Sequence, residues 1–349
     1  MAIVAGALVL GAISFYALEH GFSQNDDPRS GILALMPPDA SAVIFVDVAE
    51  LRGAPFMAQL LVWAPKPQTD PDYAQFVRET GFDYERDLDR VAIAVEKRGQ
   101  ASLLFAVADG RFDRKKIADY SAKFGSSQKQ YGRDVLTFAI NGSPRKISLA
   151  FLSARRIVFT NDESLTYLCG SPEKNSAAAE WHVRFDRLAG SPVFAVVQQD
   201  ASSGSALAAQ APGGLQSPQL SALLDRLQWI TLAGKPENEN LRVVAEGEST
   251  AGATIGQLAD LLDGLVLLAQ AGLNDSKTRQ QLDPAAREAY LQLLKSADIS
   301  KIDRGETKSV RLVFEITPKF LLAAKTPAPT PPPPVAASKP QPARKTGRK

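Results

Sequence analysis

Side chains able to do chemistry occur in this chain as fragments of known arrangements. Ser126-Ser127-Gln128-Lys129 and Ser171-Pro172-Glu173-Lys174 both read Ser-x-x-Lys, and Lys345-Thr346-Gly347 adds a third string. Together they mimic parts of the serine acyl-enzyme signature of penicillin-binding proteins and β-lactamases. That chemistry needs the lysine one turn after the serine, at a helix start buried beside a sheet. Ser126 is expected in a polar loop after a helix, Pro172 breaks the second string, Lys345 lies in a Pro-rich tail, and no Ser-Asp-Asn occurs. His182 is the histidine that a Ser-His-Asp site would use. It follows Trp181 in an amphipathic helical pattern, and no Gly-x-Ser-x-Gly elbow accompanies it. Asp83, Glu85, Asp87 and Asp89 alternate like a calcium loop. The glycine such a loop needs at its sixth position is Leu88, and Arg86 and Arg90 interleave, so a charged turn leading into a strand is expected.

One cysteine and two histidines exclude a disulfide framework, a Cys-rich metal site and a multi-His centre. Cys169 reads as a small buried hydrophobe. No phosphate-cradling glycine pattern appears, and Gly213-Gly214 falls in a loop. Arg111, Arg114, Lys115, Lys116 and Lys123 read as a solvated helix face, since a nucleic-acid site would present aromatics with the charge. The chain is expected to be non-catalytic, without a cofactor or nucleic-acid partner. A carboxylate-dependent hydrolase stays as an alternative, because convergence of acids in space is not written in spacing.

These residues must be positioned by elements between two unusual ends. Met1 to Leu18 carries no charge, and its exceptions to apolar character are Gly6, Gly11 and Ser14. At ~1.5 Å per residue this is close to the minimum that spans a bilayer. A transmembrane signal anchor over residues 1–20, inserted through residues 2–18, is the first reading. A signal peptide cleaved near Ala12-Ile13-Ser14 is the second, and a buried helix the third. No Lys or Arg precedes the run, and Glu19, Asp26 and Asp27 outweigh Arg29 after it. A basic-poor flank belongs to the translocated side, so the body is expected in the periplasm or outside the cell. Residues 21–32 read as a linker. Residues 326–349 read as a disordered Pro-rich tail, with eight prolines and five basic residues but no acid. Arg344, Lys345, Arg348 and Lys349 form a cationic tip suited to anionic polymer, headgroups or a partner. The whole chain has 40 Lys and Arg against 38 Asp and Glu, a net +2. Subtracting the tail's five leaves −3, so the body is mildly acidic.

The body reads as α+β in two related halves, 33–190 and 191–325, each an antiparallel sheet with helices packed on one face. Ala42 to Asp47 is a buried strand. Helical patterns follow over Ala49–Trp63 and Tyr73–Phe82. Val91–Val95 and Ala101–Val107 form a hairpin, and Asp113 caps a helix with Ile117, Tyr120 and Phe124 on its apolar face. Pro192–Gln198 opens the same order again. Gln219–Asp225 is helical, Gln228–Ala233 and Leu241–Glu246 are strands, and Ala251–Leu273 is a long helix. Further strands lie at Val135–Ile140 and Lys146–Phe151, joined by Asn141-Gly142, and at Arg156–Phe159 and Ser309–Ile316.

The stretches Leu35-Met36-Pro37-Pro38-Asp39-Ala40, Thr80-Gly81-Phe82-Asp83, Asp87-Leu88-Asp89-Arg90 and Asp109-Gly110-Arg111-Phe112-Asp113 carry a resemblance. Over residues 33–320 the chain resembles a group of bacterial membrane-anchored, extracytoplasmic α+β proteins of unknown function. The resemblance implies this layout and address, and no activity.

The long helix is apolar around much of its circumference, broken by Asp260 and Asp263, which argue against a membrane span. Burial between layers competes with exposure as a partner-binding or lipid-binding groove. On the second reading Leu258, Leu261, Leu262, Leu265 and Leu268 form the binding surface. The function expected is an anchored binding or scaffold protein, an accessory of an envelope complex with a protein partner there. A carrier of an apolar ligand is the alternative.

Overall fold

Strand β1 (Ala42–Asp47) is the centre of the molecule, because both its edges and both its faces are occupied. In a computed structural model, residues 28–63, 71–98, 101–130, 132–139, 146–162, 165, 168, 179–188, 190–199 and 218–325 are described. The N-terminal apolar segment, the Asn141-Gly142 turn, Ser171 to Lys174, Cys169, Gly213-Gly214 and the tail with Arg344, Lys345, Arg348 and Lys349 lie outside them.

β1 pairs antiparallel with β2 (Leu88–Arg98) on one edge and β8 (Val193–Gln198) on the other. Val43 and Phe45 point to one face, Ile44 and Val46 to the other, as a period of two requires. Outward from β2 come β3 (Ala101–Gly110), β7 (Arg156–Thr160), β6 (Lys146–Phe151), β5 (Arg133–Ala139) and β4 (Gly125–Gln130). Outward from β8 come β9 (Trp229–Glu237), β10 (Asn240–Ser249), β12 (Thr307–Ile316) and β11 (Asp298–Arg304). The result is one antiparallel sheet of twelve strands, not two sheets. The opening strand of each half carries an edge its own hairpin cannot use. Pairing β1 with β8 satisfies both sets of backbone groups.

Helices cover both faces of this sheet, which corrects the one-face expectation. On the Phe45 face lie α1 (Pro28–Leu33) and later α7 (Glu180–Arg187). They bury Ile32, Leu33, Trp181 and Phe185 against Phe45 and Phe194. Residues 28–32 are therefore packed helix, where a linker was expected, because Ile32 and Leu33 supply apolar area that a solvated linker would waste. On the Ile44 face lie α2 (Val48–Arg52), α3 (Pro55–Trp63), α4 (Pro71–Thr80), α5 (Tyr84–Asp87) and α6 (Arg114–Phe124). Leu51, Phe56, Met57 and Ile117 form the core there, with Leu321 from the C-terminal helix α12 (Pro318–Lys325). A doubly covered strand must be apolar on both sides, which is why AVIFV has no polar alternation.

The hairpin helices differ between the halves. α6 has 11 residues and passes directly into β4. Its counterpart α9 (Gly252–Asn274) has 23, and α10 (Ser276–Gln281) and α11 (Pro284–Lys295) intervene before β11. A short helix, α8 (Pro218–Leu224), packs beside α9.

Candidate functional site: an apolar helix that overruns the sheet

The first turns of α9 are core. Ile255, Leu258 and Ala259 are buried with Leu220, Leu223, Leu227 and Val310, the last from β12. Beyond Ala259 no residue of α9 is fully buried. At ~1.5 Å per residue, the fifteen residues from Asp260 to Asn274 run on for about 22 Å. Asp260, Leu261 and Leu262 still reach the sheet, and α11 braces the stretch beyond them. Gln270 Nε2 donates to the Leu294 carbonyl at 3.2 Å, and Arg287 Nη1 to Asn274 Oδ1 at 3.4 Å. Leu267 and Leu268 are 65% and 70% exposed.

The five expected binding leucines thus divide. Leu258 belongs to the core, which corrects its assignment to an exposed surface. Leu261 and Leu262 pack partly on the same cluster, Leu265 is half-buried, and Leu268 faces solvent. Leu267, on another side of the helix, joins the exposed set that spacing alone did not single out. Beside the proximal half, an open recess of about 350 Å³ is lined by Gln219, Ala222, Leu223, Arg226, Gln257 and Leu261.

The chemical fragments fall elsewhere. Ser126 and Lys129 lie on edge strand β4, three residues apart, so they point to opposite faces and cannot act as a pair. The polar loop expected there is a strand because it completes the β5 ladder. His182 sits against the rings of Trp181 and Phe185, with Nε2 3.9 Å from Asp186 Oδ1.

The alternating acids form a structural corner. Asp83 accepts the Glu85 N–H at 2.9 Å and caps α5. Asp87 accepts the Asp83 N–H and two bonds from Arg86, with Arg111 3.5 Å away. Burial pushes the Asp87 carboxyl up, but these bonds and charges outweigh it and hold it below its ordinary value. Asp89 pairs with Arg155 at 2.8 Å. Gly110 closes the corner. A Cβ there would collide with the Asp87 carbonyl, which accepts the Arg111 N–H at 2.8 Å. Three of the stretches that carried the resemblance therefore meet at one end of the β2–β3 hairpin, where they set turns and caps.

A second ionic cluster was invisible to spacing, because its members come from four elements. Glu248 and Glu246 of β10 are 1% and 3% exposed. Arg184 of α7 bonds Glu248 at 2.8 Å and lies over the Trp229 ring, its guanidinium carbon 4.3 Å from the centroid. Arg187 bonds Glu248 at 2.7 Å. Arg304 of β11 and Arg311 of β12 bond Glu246 at 2.6 and 2.9 Å. Burial alone would raise the Glu246 carboxyl. Hydrogen bonds from Arg304, Arg311 and Ser309 reverse that and depress it. The only legible signal was two glutamates on one face of a strand, directly after the apolar run Val243 to Ala245.

No family model matches the chain, and no curated protein does. Among solved structures, crystal form I of TP0453 gives a TM-score of 0.43 at 11% identity, covering 84% of this chain and 95% of that one. Crystal form III gives 0.43 at 11%, over 84% and 96%. Form IV gives 0.42 at 10%, over 84% and 95%. Likeness at this level carries neither a fold family nor an activity to this chain.

Proposed function

We propose that this chain is a non-catalytic, membrane-anchored extracytoplasmic scaffold, an accessory of an envelope complex that docks its partner on the distal half of α9. The observation that supports it is the overrun. The two halves read as copies of one unit, since each runs first strand, hairpin, helix, and a last strand that returns to the hairpin. Against that repeat, α9 is 12 residues longer than α6 and leaves Leu267 and Leu268 in water. Exposed leucines on a braced helix cost solubility and contribute nothing to the core, which fits a surface kept for another molecule.

A carrier of an apolar ligand is the second reading, and the recess beside Leu261 favours it. Its opening to solvent and its rim of Gln219, Arg226 and Gln257 suit a ligand with a polar end. The hydrolase reading gains no support from Asp47, Asp87, Glu246 and Glu248, four of the buried acids, each of which is engaged by arginine.

The test is site-specific photocrosslinking of the full chain in its membrane. A probe at Leu268 should give a discrete protein adduct, and a probe at Glu180, on the other side of the sheet, should not. Equal labelling from both positions, or from neither, overturns the reading. Protease digestion of spheroplasts should cut the body without membrane rupture. Cutting only after rupture removes the extracytoplasmic address.

A further inference from the structure

The cluster on β10 is unbalanced. Four guanidiniums, from Arg184, Arg187, Arg304 and Arg311, share two buried carboxylates. The third acid, Glu180, holds Arg184 from a side chain 76% exposed at the rim. Arg187, Arg304 and Arg311 all lie within 3.9 Å of the one Glu246 carboxylate. Their side chains are 24%, 24% and 28% exposed. Each reaches that carboxylate or its neighbour with one part of its fork. Arg187 and Arg304 use Nη1, and Arg311 uses Nε and Nη2. The remaining N–H groups have no acceptor among the described residues.

Two buried polar atoms adjoin them. Thr231, 2% exposed, is the cross-strand neighbour of Glu246 and shares its face. Its hydroxyl has no hydrogen-bond partner among the described residues, and neither has Arg184 Nε. The helices that pack on β11 and β12 are α9 and α11, and they lie on the opposite face with Ile255, Leu258 and Ile299. On the face of the three forks lies α7, which itself carries Arg187, and the fork side chains stay about a quarter exposed. With four guanidiniums to three carboxylates, the cluster leaves one positive charge without a carboxylate of its own. It keeps planar N–H donors on these partly exposed side chains, with no acceptor among the described residues.

We propose that Arg187, Arg304 and Arg311 form a phosphate-binding site, taking free phosphate or the phosphate of a monoester. Guanidinium forks match phosphate oxygens in pairs, and the surplus positive charge is neutralised by the anion. Glu246 acts inside the site as a placeholder that pre-orients Arg304 and Arg311 and competes with the ligand. The proposal is independent of α9 and of the scaffold reading.

The test is calorimetric titration of the full chain in detergent micelles, with inorganic phosphate and with glycerol phosphate, at ionic strength fixed by chloride. The natural chain should bind one equivalent saturably. Glu246→Gln removes the competing charge and should tighten binding about tenfold, the size of one charge-assisted hydrogen bond. Arg187→Gln should weaken it about tenfold, and Glu248 keeps Arg184 so the fold survives. Arg187→Lys, which keeps charge but loses the fork, should fall between. Preference for glycerol phosphate identifies a monoester, and preference for inorganic phosphate the free ion. Absence of saturable binding, binding only in Glu246→Gln, or binding indifferent to both substitutions overturns the proposal.

Discussion

The division of α9 into a packed half and a free half can be tested with two leucines ten residues apart. Leu258 is 2% exposed among Leu223, Leu227, Ile255, Ala259 and Val310. Leu258→Ala deletes buried atoms and leaves a cavity, which costs about 2–5 kcal/mol. Leu268 is 70% exposed, so less than a third of its surface is out of water. Full burial of a leucine is worth ~1.5–3 kcal/mol, so the share at stake is about 0.5–0.9 kcal/mol. Leu268→Gln keeps helix propensity and most of the stem, so it should cost about 0.5 kcal/mol or less. Urea unfolding of the full chain in micelles, followed by far-ultraviolet circular dichroism, separates the two as a difference in midpoint at constant slope. The same Leu268→Gln chain, carrying the photocrosslinking probe at Leu267 instead, should lose its crosslinked partner. A cost at Leu268 equal to that at Leu258 would mean that another part of the chain covers the distal helix. The docking argument would then fail with it.

Other outcomes follow from the packing and the charges. Gly110→Ala should open the end of the β2–β3 hairpin, because the new Cβ meets backbone at Asp87, which no side-chain rotation relieves. Amide exchange should speed up at Arg111 and leave β9–β10 unchanged. Trp181→Phe removes the indole N–H that donates to the Pro37 carbonyl at 3.0 Å and leaves a void in a site with 0% exposure. A loss of about 2–4 kcal/mol is expected, read as a lower thermal midpoint. Glu246 has its folded-state proton affinity depressed below the ordinary carboxylate value of 4.5. The stability it contributes is therefore fully present above about pH 4.5 and is lost as pH falls below that, through the folded pKa. Wild type should lose stability more steeply than Glu246→Gln in that window, and parallel curves would show that the arginines do not hold the charge.

Much of the element order is legible in the residues. β1 runs from Ala42 to Asp47 as read, and Asp113 caps α6 through the Lys116 N–H at 3.1 Å. The elements that escape reading are those with polar sequences. β4 is GSSQKQ and β11 is DISKIDR, both edge strands of mostly polar sequence. Their ladders rest on backbone bonds to β5 and β12, which composition does not reveal. α11 had its signal, Asp283-Pro284, where Asp283 accepts the Ala285 and Ala286 N–H groups. The hydrophobic periodicity around it is weak, because only Ala286, Ala289 and Leu291 are buried.

Sequence alone determined local matters: which runs are doubly buried, where turns and caps fall, which metal chemistries lack ligands, and that the surplus positive charge sits in residues 326–349. These depend on neighbours a few positions apart. Tertiary structure decided everything that needs partners from far along the chain. It joined two hairpin units into one sheet through β1 and β8, laid helices on both faces, and brought Arg184, Arg187, Arg304 and Arg311 onto β10. It also decided which leucines of α9 are core and which are surface. A helix that is apolar all round does not mark where the sheet beneath it ends.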